Sequence, residues 1–121
     1  MGDPSHHWRL ALENRDGAES ELRAGRYSNV ALLAIRSLEQ AVEACAAAEG
    51  LHFHEHPRTA HAKRRDWLEA HIPALLEAWD FLWMAYGLLG YGGVDGERAR
   101  EALEVLDKAL KALRRYCLGP V

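Results

Sequence analysis

The sequence predicts an all-α fold, an antiparallel up-and-down bundle of four to five helices, and three observations carry that expectation. Apolar residues return at three- and four-residue steps through most of the 121-residue chain. No segment alternates apolar and polar residues with the period of two that a half-buried strand requires. Gly25, Gly50, the cluster Gly90, Gly92 and Gly93, and Gly119 each follow a stretch with helical spacing, where a left-handed residue ends a helix at little steric cost. The length fits one domain over residues 1–121, with a core expected over about 8–116.

The first helix opens at Asp3-Pro4, a cap residue followed by a proline suited to the first helical position. It carries Trp8, Ala11, Leu12, Ala18 and Leu22 on one stripe and stops near Ala24. The second has the cleanest pattern. Tyr27, Val30, Ala31, Ala34, Ile35, Leu38, Ala41, Val42 and Cys45 form its core face, with Arg36, Glu39, Gln40 and Glu43 off it. After Gly50 the periodicity breaks, and Pro57 biases His56 away from helical geometry, which marks a loop. Thr59 is a cap for a short helix reaching His71, and Pro73 fits only the start of a new one, so the third helical region is expected in two pieces. From Ala74 to Leu89 apolar residues cover nearly the whole circumference; a homodimer contact is expected to cover part of that surface. Asp95 caps the last helix, with Ala99, Ala102, Leu103, Leu106, Leu110, Leu113 and Cys117 on its face. Its acids lie early and its bases late, as the helix dipole favours, and Glu104–Lys108 and Asp107–Lys111 have pairing spacing.

Composition narrows the function classes. Apolar residues at 49% and charged residues at 27% describe a folded domain rather than a disordered chain. Fifteen Lys and Arg against eighteen Asp and Glu give a net charge of -3, so any anion site must be local. Cys45 and Cys117 are too few for a disulfide framework, and a reducing cytoplasm is the expected compartment. The longest uncharged apolar stretch, Phe81 to Val94, is shorter than the roughly 18–20 residues that span a bilayer, and the N-terminus lacks a signal-like pattern; neither membrane insertion nor secretion is expected.

Two segments carry candidate chemistry. His52, His54 and His56 alternate, so an extended backbone projects all three imidazoles from one face, with Glu55 on the other. Three imidazoles can hold zinc or another borderline metal, His61 or water completing a tetrahedron; the other reading is an exposed polar loop. Just beyond, Arg58, His61, Lys63, Arg64 and Arg65 concentrate positive charge in an acidic chain. Guanidinium groups grip phosphates through paired hydrogen bonds, so Arg58, His61, Arg64 and Arg65 are candidate phosphate-facing residues. Against that stands simple pairing with Glu39, Glu43, Glu55 or Asp66. Trp67, beside this turn, is the tryptophan placed to stack on a base, whereas Trp8, Trp79 and Trp83 are expected in the core.

Gly25-Arg26-Tyr27 opening an alanine-rich helix, then Gly50-Leu51, Thr59-Ala60-His61 and the run Met84-Ala85-Tyr86-Gly87-Leu88-Leu89-Gly90-Tyr91 together resemble the HEPN superfamily over most of the chain. The resemblance implies an antiparallel helical bundle that dimerises and serves in one of two ways. One is a non-catalytic nucleotide- or RNA-binding partner of a minimal nucleotidyltransferase; the other is a metal-independent ribonuclease of the toxin class. The nuclease members carry an arginine followed a few residues later by a histidine near the last helix, where histidine moves a proton and arginine steadies the phosphorane. Residues 83–94 contain neither, which speaks against cleavage by that route. Arg64 and Arg65 each stand at a comparable spacing before His71, with Arg65 and His71 the candidate catalytic pair, but they lie before Pro73 instead. The expected function is therefore a non-catalytic nucleotide- or RNA-binding module, with the ribonuclease and a metal-binding bundle using His52, His54 and His56 as alternatives.

Overall fold

The computed structural model describes residues 3–92 and 95–118; of the expected helix-ending glycines, Gly93 and Gly119 lie outside them. Five helices form, with no strand among the described residues: α1 (Pro4–Arg23), α2 (Tyr27–Ala47), α3 (Pro57–His71), α4 (Leu76–Gly92) and α5 (Gly96–Leu118). Single 3-10 turns over Phe53–Glu55 and Pro73–Leu75 precede α3 and α4.

The helix ends follow the local chemistry. Asp3 Oδ1 accepts from His6 N at 2.9 Å and Pro4 takes the first helical position, so α1 starts where the sequence places it. It ends in a left-handed glycine: with Gly25 at φ +76°, Arg26 N donates to Glu21 O and Gly25 N to Leu22 O, a Schellman closure. Gly50, at φ +81°, ends α2 the same way, with Leu51 N on Ala46 O and Gly50 N on Ala47 O. Asp95 Oδ1 accepts from Arg98 N at 3.0 Å and caps α5. Two boundaries differ from expectation. Pro57, not Thr59, opens α3, because a proline at the first position lacks only an N–H that a helix start leaves unpaired. Gly90 and Gly92 lie within α4, which runs past Leu89.

Two contacts fix the topology. At one end Tyr27 approaches the start of α5 at Gly96, and at the other Cys45 is disulfide-bonded to Cys117, so α2 and α5 run in the same direction. Short connections turn α1 antiparallel to α2 and α4 antiparallel to α5, which makes an up-and-down arrangement with α3 in the crossover. Cys45 and Cys117, too few for a disulfide framework, nonetheless pair with each other. Both sit near the C-terminal ends of parallel neighbours, their Cα atoms 5.6 Å apart, within disulfide range. No described helix is long and apolar enough to cross a membrane.

α2 is the central helix, packed by α1, α3, α4 and α5. Burial therefore extends well beyond the expected stripe, to Ser37, Ala44, Ala46, and the acids Glu39 and Glu43. Ser37 is satisfied by donating its hydroxyl to Ala11 O at 2.7 Å across the α1–α2 contact. Trp79, Leu82, Ala85 and Leu89 of α4 join Leu38, Val42, Leu106 and Leu113 in the core, whereas Met84, Tyr86 and Leu88 stay exposed. Leu12, expected on the inner stripe of α1, is also exposed, while His7 is buried. Asp107 pairs with Arg15 of α1 through both carboxylate oxygens rather than with Lys111.

Candidate metal centre

The site forms where the first turns of α1 meet the last turns of α2. Because Asp3 starts α1 where it does, His7 falls on the face turned to α2 and is 3% exposed. Its Nδ1 lies 2.7 Å from Gln40 Oε1. An amide oxygen can only accept, so Nδ1 carries the proton and Nε2 is left with its lone pair. That Nε2 is buried and has no hydrogen-bond partner. Burial lowers the His7 pKa from the ordinary histidine value, with the Gln40 contact opposing it.

Glu43 stands one turn beyond Gln40 on α2 and is 1% exposed. Its Oε1 accepts from His54 Nδ1 at 3.0 Å and from His54 N at 3.3 Å, and its Oε2 accepts from Arg64 Nε at 2.8 Å. Burial pushes this carboxyl up, but the contacts from His54 and Arg64 together outweigh it and hold Glu43 below the ordinary glutamate value. Its neighbour Glu39 is raised, because burial there exceeds the pull of Arg64 and Arg36.

His54 arrives from the other direction. The left-handed Gly50 reverses the chain at the end of α2, Phe53 packs against the core, and the 3-10 turn over Phe53–Glu55 lays His54 back over Glu43. The rings of His7 and His54 stand 4.9 Å apart. One ligand atom from each of His7, Glu43 and His54 lies within 4.8 Å of the others. Ligand atoms of a tetrahedral zinc lie roughly 3.3 Å apart, so the set needs to close by about 1.5 Å, within the reach of side-chain rotation at the partly exposed His54.

Of the three alternating histidines, only His54 enters this cluster, because the segment forms a 3-10 turn rather than an extended strand and does not project them together. The His52 ring sits edge-on to that of His54 at 6.1 Å, and His56 precedes Pro57 at the exposed start of α3.

The basic turn does not converge either. Arg64 faces α2 and is held by Glu43 and by Glu39 Oε2 at 3.3 Å. Arg65, one helical step round, faces α4 and takes both oxygens of Asp80 at 3.1 and 2.9 Å. His61 lays its ring against Trp79 and Trp83. Arg58 lies with Thr59 and Lys63 on an open surface beside Glu55 and His56. Trp67, expected to offer a stacking face, is 4% exposed, donates Nε1 to Glu49 Oε1 at 2.9 Å and stacks on His71. His71 in turn has Nδ1 2.9 Å from the Tyr116 hydroxyl, so it turns to α5 while Arg65 turns to α4 and the two do not form a pair.

The residues missed by sequence reasoning are His7, Gln40 and Glu43. A histidine one turn into a capped helix and two acids four apart on an otherwise apolar helix are the signals the sequence offers, but only the tertiary fold joins them. No family model, curated protein or solved structure matches the chain.

Proposed function

We propose that this protein is a metal-binding helical bundle whose site is His7, Glu43 and His54, taking a divalent ion of the zinc class. The observation that supports this reading is the His7 imidazole: buried, oriented by Gln40, and with an Nε2 lone pair that nothing else satisfies. An unpaired buried polar atom costs about 1–3 kcal/mol, and an ion shared with the adjacent carboxylate removes that cost. The Gln40 contact is the kind of outer support that fixes the tautomer of a metal-bound histidine. Two imidazoles and one carboxylate favour zinc and its transition-metal neighbours over magnesium or calcium, which prefer all-oxygen sets.

The test is metal content and titration of untagged protein, stripped with a chelator and reloaded with zinc. The expected result is one ion per chain and a higher melting temperature with zinc, since a ligand of the folded state stabilises it. Both are lost in His7→Phe and His54→Ala. Folded wild-type protein that takes up no stoichiometric ion removes the reading.

A further inference from the structure

The metal reading leaves open what completes the coordination sphere, and the surroundings of Glu43 narrow it. Among the other polar groups around the cluster, His52 keeps a buried Nδ1 without a partner, its ring 6.1 Å from that of His54, and the rest are committed. Gln40 is spent on His7, Glu39 on Arg64 and Arg36, and both cysteines are in the disulfide. His7 and Glu43 are sealed from solvent, but the His54 side chain is 34% exposed, so the site opens on that side.

Charge points the same way. The negative charge of Glu43 is already shared with Arg64 at 2.8 Å. A divalent ion placed against this set leaves net positive charge in a largely buried location, which is unfavourable without a counter-anion.

Arg64 supplies a second point of attachment. Arg15 and Arg65 each fill the Nε–Nη2 edge of the guanidinium with both oxygens of one carboxylate. Arg64 uses only the Nε half of that edge, on Glu43, and turns Nη1 to Glu39; its Nη2 makes no hydrogen bond among the described residues. This free donor shares the edge that faces Glu43, and such an edge suits a planar or tetrahedral oxyanion.

We infer that the site binds a small oxyanion, a carboxylate or phosphate group, with one oxygen on the metal and another on Arg64 Nη2. This rests on the metal reading above and adds the class of ligand.

Cobalt-loaded protein provides the test, because the visible bands of the ion report its ligands. Titration with acetate and with methylphosphonate is expected to shift those bands saturably in the wild type. Arg64→Lys keeps the positive charge but removes the fork; read against the cobalt spectrum of the variant itself, anion binding is expected to weaken roughly tenfold, the worth of one charge-assisted hydrogen bond. Bands that respond to neither anion overturn the inference and leave the metal reading standing. Anions that act only after His52→Ala overturn it as well, since His52 then fills the open position. Absence of cobalt bands in folded wild type removes both.

Discussion

A metal-bound histidine is oriented by what holds its second nitrogen, and in the proposed site Gln40 would perform that role for His7. Gln40→Leu is expected to lower zinc affinity about 10–100-fold, read by competition with a chelating dye, while Gln40→Glu, which still accepts from Nδ1, retains it. A merely structural glutamine predicts the opposite split, with stability reduced in Gln40→Leu and zinc affinity unchanged. Legibility in the sequence divides at the same place. The spacing of His52, His54 and His56 points to the segment that supplies His54 to the cluster, yet the extended geometry it implies does not form, because Phe53 anchors a 3-10 turn. Glu39 and Glu43 fall off the apolar stripe of α2 and read as solvent-facing. They are buried with Arg64, twenty-one residues beyond Glu43, as their partner; the sequence offers that pairing among four acids, and the fold selects these two.

At the level of elements, caps and glycines are readable because their chemistry is local. Asp3, Gly25, Gly50 and Asp95 all act where the sequence places them. Gly50 also matters to the site, because its left-handed conformation at φ +81° reverses the chain and delivers His54 to Glu43. Nothing lies within contact of a Cβ built there, so substitution is penalised by backbone conformation alone. Gly50→Ala is therefore expected to destabilise the fold by about 1 kcal/mol in denaturant unfolding. It should also weaken zinc binding, since relaxation of the turn moves His54. Gly25→Ala carries the same backbone strain at φ +76° far from the cluster. It should match the loss of stability and leave zinc binding alone; equal zinc affinity in both variants would show that the turn does not position His54.

The arrangement of the whole molecule is the least legible level, because periodicity identifies a helix's inner face but not which neighbour runs parallel to it. Cys45 and Cys117 end the apolar stripes of α2 and α5, a pattern equally compatible with two separate core thiols. Only the parallel course of the two helices, with Tyr27 near Gly96 at the opposite end, brings them together. The bond links positions 72 residues apart and so constrains most of the chain, including α3 and the turn that carries His54. Closing a loop of that length removes unfolded-state entropy worth about 4 kcal/mol in the chain-entropy account, and observed values for single disulfides are about 2–4 kcal/mol. Reduction is accordingly expected to lower the melting temperature by roughly 10 °C. The double variant Cys45→Ala/Cys117→Ala should melt low with or without reductant. Because the crosslink lies at the same end of α2 as Glu43, two turns or less away along the helix, zinc added to the reduced protein should recover part of the loss by favouring the folded state. A midpoint that does not move while two free thiols appear would show that the packing of α2 on its four neighbours, rather than the crosslink, holds these helix ends together.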